Sequence, residues 1–97
     1  SSAASDVYKR QAVELVKDAA KANKPIAVIC HGAWILATAD LLKGKTLTSY
    51  PSLTDDLKNA GATWVDQEVV VDGKLISSRT PDDLPAFNDK LIAALAA

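Results

Sequence analysis

The chain has 97 residues, of which 48% are hydrophobic and 24% are charged, and its formal net charge is −1 at pH 7. This length allows one domain at most, and the balanced charge without a basic cluster argues against a nucleic-acid-binding surface. Apolar runs are too short to cross a bilayer, no secretory signal is visible, and one cysteine cannot form an internal disulfide. These features predict a soluble protein of the reducing cytoplasm.

The first eleven residues, SSAASDVYKRQ, do not share the hydrophobic pattern of the rest of the chain. They resemble the in-frame translation of an adapter oligonucleotide used to build sequencing libraries. Residues 1–11 are therefore interpreted as a non-native leader and left out of functional reasoning. A natural disordered or helical leader is the alternative. Residues 12–97 are expected to be native and to continue upstream in the parent protein.

Three elements are predicted in the first half of the native part. Residues 12–23 carry apolar side chains at helical spacing, which predicts an amphipathic helix that ends before a proline. Residues 26–29 form a continuous apolar run, typical of a strand covered on both faces. Residues 33–42 are nearly all apolar and predict a mostly buried helix, with Gly44 as its carboxyl-terminal cap.

The next segment predicts a strand followed by a short helix. Residues 46–50 form the predicted strand, which a proline ends. Ser52, with an acidic residue three positions later, has the pattern of a helix amino-terminal cap. This helix is expected to reach residue 59 or 60 and to stop at Gly61.

The last third predicts a hairpin and a final helix. Residues 63–65 indicate a brief strand, and the dipeptide Asp72-Gly73 predicts a tight turn between strands at 68–71 and 74–78. The final helix is expected to start at Thr80-Pro81, or near Asp83 because Pro85 disfavours an earlier regular start, and to continue to residue 95, with aspartates in its first turn that face the helix dipole. The alternation of elements predicts a layered α/β sheet with helices on both faces.

The chain's only cysteine and only histidine are adjacent, as Cys30 and His31, where a predicted strand meets a predicted helix. Ligands of open α/β sheets bind outside the carboxyl ends of strands, and a tight strand-to-helix turn lifts the side chain at its apex out of the sheet. Gly32 supplies the small residue that such a turn needs. The N–H groups at the start of the helix favour a thiolate and, at His31 and its neighbours, could hold an oxyanion.

Two alternatives stay open at this point. Cys30 could be a buried thiol that behaves as a small hydrophobe. Adjacent residues on a turn usually diverge, so His31 need not contact the sulfur, and it could act as a general base only if a carboxylate orients it. A metal site is not expected, because one cysteine and one adjacent histidine are too few ligands. No cofactor is predicted.

Five phrases carry a resemblance to a known family: ICHG, TSYPS, DDLKNAGATWVD, VVVDGKLISSR and PDDLPAF. In this order and spacing, residues 12–97 resemble the PfpI-like branch of the DJ-1/PfpI superfamily. The resemblance implies a flavodoxin-like three-layer α/β sandwich, truncated at the amino terminus, in which this chain is the carboxyl-terminal part of a single domain. It implies Cys30 as the nucleophile, His31 as the histidine that follows it, and Gly32 as the elbow glycine. Ala33 stands where many members carry proline.

The resemblance also implies that parts of the site lie upstream of residue 12. These are a glutamate that hydrogen-bonds the cysteine, a glycine-rich loop, and an acidic residue lent across an oligomer interface. The parent is therefore expected to be a homo-oligomeric deglycase, glyoxalase or peptidase that acts on small reactive carbonyls or on glycated proteins or peptides. The fragment alone is expected to be inactive and marginally stable. The alternative is a redox-sensing or chaperone-like stress protein with an oxidisable cysteine.

A few other residues have simpler interpretations. Trp34 and Trp64 are expected to pack rather than to bind substrate. Ala33, Trp34 and Tyr50 are nevertheless possible pocket residues, because they flank the junction or follow a strand end. Arg79 is expected to form a surface ion pair. Neither a membrane nor a specific nucleic acid is expected as a partner.

Overall fold

The computed structural model describes residues 2–96, and the side chains of residues 7–96. The helices and strands in this range are α1 (Ser2–Lys21), β1 (Ile26–Ile29), α2 (Ala33–Thr38), β2 (Thr46–Leu47), α3 (Thr54–Asn59), β3 (Thr63–Trp64), β4 (Val70–Asp72), β5 (Leu75–Ser78) and α4 (Leu84–Ala96). Short 3-10 turns at Pro51–Leu53 and Pro81–Asp83 lead into α3 and α4. The predicted order of elements is confirmed.

The strands form two small sheets. The first has the order β1-β5-β4, with β1 parallel to β5, so that Ile29 lies opposite Ser78. β4 runs antiparallel to β5 through a turn in which Gly73 has a φ of 58°, as the predicted hairpin requires. The second sheet pairs β2 with β3 in parallel. The carboxyl ends of β1 and β5 therefore lie at the same edge.

A leucine-rich core holds these elements together. Its buried members come from α2, β2, α3, β5 and the segments beside them: Ala33, Leu36, Leu42, Leu47, Leu53, Leu57, Ala62 and Leu75. α1 packs against α2, and α4 packs against β5, where Phe87 is buried. Burial of these side chains is the main favourable contribution to folding.

Left-handed residues end the first and third helices where the sequence predicts. Asn23, after α1, has a φ of 55°, and Gly61, after α3, has a φ of 95°. In both cases the N–H of the next residue donates to a carbonyl in the last turn of the helix. The N–H of Lys24 donates to the carbonyl of Ala19 at 2.9 Å, and that of Ala62 to the carbonyl of Leu57 at 3.1 Å. This arrangement satisfies carbonyls that would otherwise lack partners at the helix end.

The helix α2 is four residues shorter than predicted. Asp40 adopts the left-handed conformation, with a φ of 59°, and its N–H bonds to the carbonyl of Ala37 at 3.1 Å. The N–H of Leu41 bonds to the carbonyl of Leu36 at 3.0 Å, which completes the cap. The prediction that Gly44 caps this helix is therefore wrong, since Gly44 lies in the next turn.

Two further sequence predictions need correction. β1 is less buried than predicted, because all four of its residues are partly exposed and, within residues 2–96, it pairs with β5 alone. Ser52 does not cap α3, because it lies inside a 3-10 turn without a capping bond. Thr54 instead donates its hydroxyl to the carbonyl of Pro51 at 2.7 Å.

The helix α1 starts at Ser2, ten residues before the predicted beginning. It therefore includes residues 2–11 of the predicted leader, while Ser1 lies outside the described residues. The non-native origin of this leader stays a prediction. None of the described helices is both long and apolar enough to span a membrane.

Candidate active site

Cys30 follows β1 directly and adopts a strained backbone conformation. Its φ is 62°, in the left-handed region that residues with a side chain rarely occupy. The N–H of Cys30 donates to the carbonyl of Ser78 at 3.2 Å, and its carbonyl accepts from the N–H of Tyr50 at 2.9 Å. Two segments distant in sequence therefore hold this residue in place. Its thiol is free and partly exposed.

Gly32 occupies a crowded position in the turn between β1 and α2. Its N–H donates to the carbonyl of Ile29 at 3.0 Å. A Cβ at Gly32 would lie 3.2 Å from that carbonyl oxygen and 3.4 Å from the Cβ of Val28. Its φ of −61° is an ordinary value, so the close contacts, rather than the backbone angle, favour glycine here.

His31 contacts the sulfur although it is the next residue along the chain. Its Nδ1 lies 3.5 Å from the Sγ of Cys30, within reach of a weak S–H donor. The exposed imidazole stacks on the ring of Tyr50, with centroids 4.8 Å apart and planes inclined by 26°. In residues 7–96 no carboxylate hydrogen-bonds this ring. The carboxylate that the resemblance implies for this histidine is expected outside this chain, and within residues 7–96 the imidazole is held by its stacking on Tyr50.

The N–H groups of the turn differ in their availability. Gly32 uses its N–H for the bond to Ile29, whereas the N–H of His31 donates to no backbone carbonyl of the described residues. The His31 N–H is therefore available at this turn to donate a hydrogen bond to a negatively charged oxygen. The carbonyl of His31 is itself occupied by the N–H of Trp34, at 3.1 Å.

The possible pocket residues are not brought together as a group. Tyr50 lies at the site through its contacts with Cys30 and His31. Ala33 is buried in the core, so it does not line an open pocket. Trp34 is 57% exposed, and the prediction that it packs is wrong. Trp64 is half-buried and donates its indole N–H to the Oγ of Ser49 at 3.1 Å, as a packing residue would.

Ser78 is a site neighbour that sequence reasoning missed. Its carbonyl holds the amide of Cys30, and its fully buried hydroxyl has no hydrogen-bond partner within the described part of the chain. The preceding Ser77 accepts the N–H of Thr48 on its Oγ at 2.9 Å. The sequence Ser77-Ser78-Arg79, at the end of a predicted strand, could have indicated this neighbour. The carboxyl ends of adjacent parallel strands lie side by side, so residues there are close to the residue that follows β1.

Arg79 follows Ser78 at the carboxyl end of β5 and forms ion pairs with two aspartates. Its guanidinium donates to Asp83 through Nε at 2.9 Å and to Asp66 through Nη1 at 2.9 Å, which confirms the expected ion pair. The hydrogen bond from Arg79 lowers the pKa of Asp83, against the opposing effect of burial, and both carboxylates raise the pKa of Arg79. Asp83 is buried, so compensation of a helix dipole does not describe its role.

Among the described side chains, histidine, cysteine and acidic residues do not form a group of three or more that could hold a metal ion. The chemistry offered by this site is that of a thiol, an imidazole and backbone N–H groups.

Comparison with known proteins gives a consistent result. The family model of the DJ-1/PfpI family matches residues 2–94. The chain is 49% identical over 85 residues to a deglycase of Pyrococcus abyssi, covering 88% of this chain and 51% of that protein. It is 48% identical over 86 residues to the protein/nucleic acid deglycase 2 of Escherichia coli, covering 88% of this chain and 50% of that protein. The chain thus spans about half the length of these curated relatives.

Solved structures support the same assignment. A two-domain protein of Anabaena variabilis, with DJ-1/ThiJ/PfpI-like and ferritin-like domains, superimposes with a TM-score of 0.85 at 40% identity. The match covers 87% of this chain and 24% of that one. It confirms the flavodoxin-like α/β fold class that the sequence predicts. From its family match, its relatives and its fold, the chain belongs to the DJ-1/PfpI family.

Proposed function

We propose that the parent protein is a cysteine-dependent enzyme that acts on reactive carbonyl compounds or on the adducts they form with proteins and peptides. The observation that carries this proposal is the strained Cys30, with its sulfur 3.5 Å from the Nδ1 of His31. Backbone strain in a non-glycine residue is concentrated at functional sites. The names of the two relatives described above, both deglycases, support this substrate class.

The proposed first chemical step uses the neighbouring side chains of Cys30 and His31. The thiol of Cys30 gives its proton to the Nδ1 of His31, and the thiolate sulfur forms a bond to the carbonyl carbon of the substrate. The π electron pair of the carbonyl moves to its oxygen, which the N–H of His31 stabilises. The imidazolium then returns the proton to this oxygen, so that a neutral hemithioacetal is formed.

The complete site is proposed to need residues outside this chain. The resemblance implies an upstream glutamate, a glycine-rich loop and an acidic residue from a second subunit of a homo-oligomer. The 97-residue chain alone is therefore proposed to be inactive. The cytoplasm is proposed as the location, because Cys30 must remain reduced to attack a carbonyl.

A chimera tests the proposal. Residues 12–97 would replace the matching half of the E. coli relative, and loss of methylglyoxal or of a glycated peptide would be measured. The chimera should turn over substrate, and Cys30→Ser should abolish this activity. As a control, Asn88→Cys in the Cys30→Ser protein places a thiol on the exposed surface of α4 and should not restore turnover. Activity that survives Cys30→Ser would refute the mechanism.

A redox-sensing role is the second candidate. The free, partly exposed thiol beside an imidazole favours it, because thiolates that peroxide can reach are oxidised to sulfenic and sulfinic acids. Mass spectrometry of the chimera after dilute peroxide distinguishes the two functions. Selective oxidation of Cys30 in a chimera without turnover would support sensing, whereas turnover of a carbonyl substrate supports the enzyme.

A further inference from the structure

A second concave site lies at the opposite end of β1 from Cys30. It is a cavity of about 270 Å³, between α1, α2 and the amino ends of β1 and β5. Its floor is apolar and includes Ile26, Leu36, Leu41 and Leu75. Since Cys30 follows the other end of β1, this cavity is separate from the candidate active site.

Three lysines line the same cavity: Lys24, Lys45 and Lys74. Each stands shortly before a strand, Lys24 before β1, Lys45 before β2 and Lys74 before β5. The N–H of Ile26 donates to the carbonyl of Lys74 at 2.8 Å, which brings the starts of β1 and β5 together. The parallel arrangement of these two strands thus places lysines at one edge of the sheet.

The positive charge at this cavity is not balanced by nearby ion pairs. The ion pairs found among residues 7–96 belong to Arg79, and none involves these three lysines. No carboxylate is among the residues that line the cavity. All three lysines are exposed, and the nearby carboxylate of Asp72 accepts the N–H of Thr46 at 2.7 Å, so the charge at the mouth of the cavity would attract a small anion.

We propose that this cavity binds a small organic anion with an apolar body, such as a short-chain carboxylate. The apolar floor would receive the hydrocarbon part, and the lysine ammonium groups would hold the charged end as exposed donors. The volume is slightly below the usual range of small-molecule pockets, which suits a ligand of about eight non-hydrogen atoms. The occupant is therefore a small metabolite-sized anion rather than a peptide or a nucleic acid.

Titration of the isotope-labelled chimera, which carries residues 12–97, with sodium hexanoate, followed by NMR, tests this site. The amide signals of Ile26, Gly73 and Leu75 should shift in a saturable manner, and added salt should weaken binding because it screens the charges. Hexanamide, which has the same apolar body without the charge, should bind at least about tenfold more weakly. Equal binding of the two compounds would overturn the proposal.

Matched variants separate the site from general electrostatic attraction. Lys45→Gln and Lys74→Gln should each weaken hexanoate binding several-fold, whereas Lys58→Gln, an exposed lysine on α3 outside the cavity, should leave it unchanged. Hexanoate should also protect Lys24, Lys45 and Lys74 from acetylation in the unmodified chain. Equal effects of all three substitutions, or shifts that do not saturate, would overturn the proposal.

Discussion

The carboxylate of Asp83 accepts three hydrogen bonds from Arg79, four residues earlier in the chain. Its Oδ2 accepts the backbone N–H at 3.0 Å and Nε at 2.9 Å, and its Oδ1 accepts Nη2 at 3.0 Å. These bonds close the corner between the end of β5 and the start of α4. Because Ser78 immediately precedes Arg79, the same corner also supports the carbonyl that holds Cys30.

This network gives a pH dependence to stability. The pKa of Asp83 is lowered in the folded chain, so its ionised form stabilises the fold above the ordinary pKa of an aspartate, about 3.9. That contribution is lost as the pH falls through the lowered pKa. Asp83→Asn should therefore lower the Tm by several degrees at pH 7 and by much less in strong acid.

The exposed Asp82 is a matched control in the same turn. Asp82→Asn should leave the Tm and its acid dependence nearly unchanged. Thermal unfolding by circular dichroism at a series of pH values measures both variants. If Asp83→Asn and Asp82→Asn show the same curve, the hydrogen bonds from Arg79 do not stabilise the fold.

The backbone strain at Cys30 predicts an order of stability among its variants. At a φ of 62° glycine has no steric penalty, whereas alanine does. Cys30→Gly should therefore be more stable than Cys30→Ala by about 1 kcal/mol. At Ala37, which lies within α2, substitution by glycine should instead destabilise by roughly 0.5–1 kcal/mol. Urea unfolding gives both differences, and a Cys30→Ala protein as stable as Cys30→Gly would show that the strain is absent.

Gly32 is restricted by close contacts and Gly44 by its left-handed backbone, so the two glycines should tolerate different substitutions. Gly32→Ala should cost about 1 kcal/mol, because its Cβ would press on the carbonyl of Ile29 and on Val28. Gly44 has a φ of 78° and open space around it, so alanine there is strained by its backbone alone. Asparagine, which tolerates this conformation, should be accepted at Gly44 but not at Gly32. Chemical denaturation of the four variants tests this contrast.

The stacking of His31 on Tyr50 predicts effects on thiol reactivity. Tyr50→Phe keeps the aromatic face and should alkylate at nearly the same rate with iodoacetamide at pH 7. Tyr50→Ala releases the imidazole and should slow alkylation of Cys30 several-fold, because the thiolate is the reactive species. His31→Gln should slow it at least as much. An unchanged rate in His31→Gln would mean that the 3.5 Å contact has no chemical role.

Local sequence information was sufficient for much of the fold. The apolar run of β1, the hairpin turn at Gly73 and the stop of α3 at Gly61 depend on residues within a few positions of each other, and all three were predicted. The same holds for the placement of Cys30 at a strand-to-helix junction. These features need no knowledge of the rest of the chain.

Features that depend on distant partners could not be predicted in this way. β2 stops at Leu47 rather than at residue 50, because the N–H of Thr48 donates to the side-chain Oγ of Ser77 on β5 instead of to a backbone carbonyl of a paired strand. Asp40 ends α2 because two backbone bonds close around it, and nothing in its residue type demands this. Trp34 was misplaced since nearly every residue of α2 is apolar, and such a helix has no periodic pattern that identifies its exposed side.

The attachments of Cys30 have a consequence for the order of folding. One of its backbone bonds reaches Tyr50 and the other reaches Ser78, so neither exists in a short peptide that contains only the cysteine and its neighbours. Cys30 can hold the conformation described here only when β5 has docked beside β1. Any excursion that detaches β5 would let the backbone at Cys30 relax, and the candidate site would lose its arrangement before the rest of the molecule has unfolded.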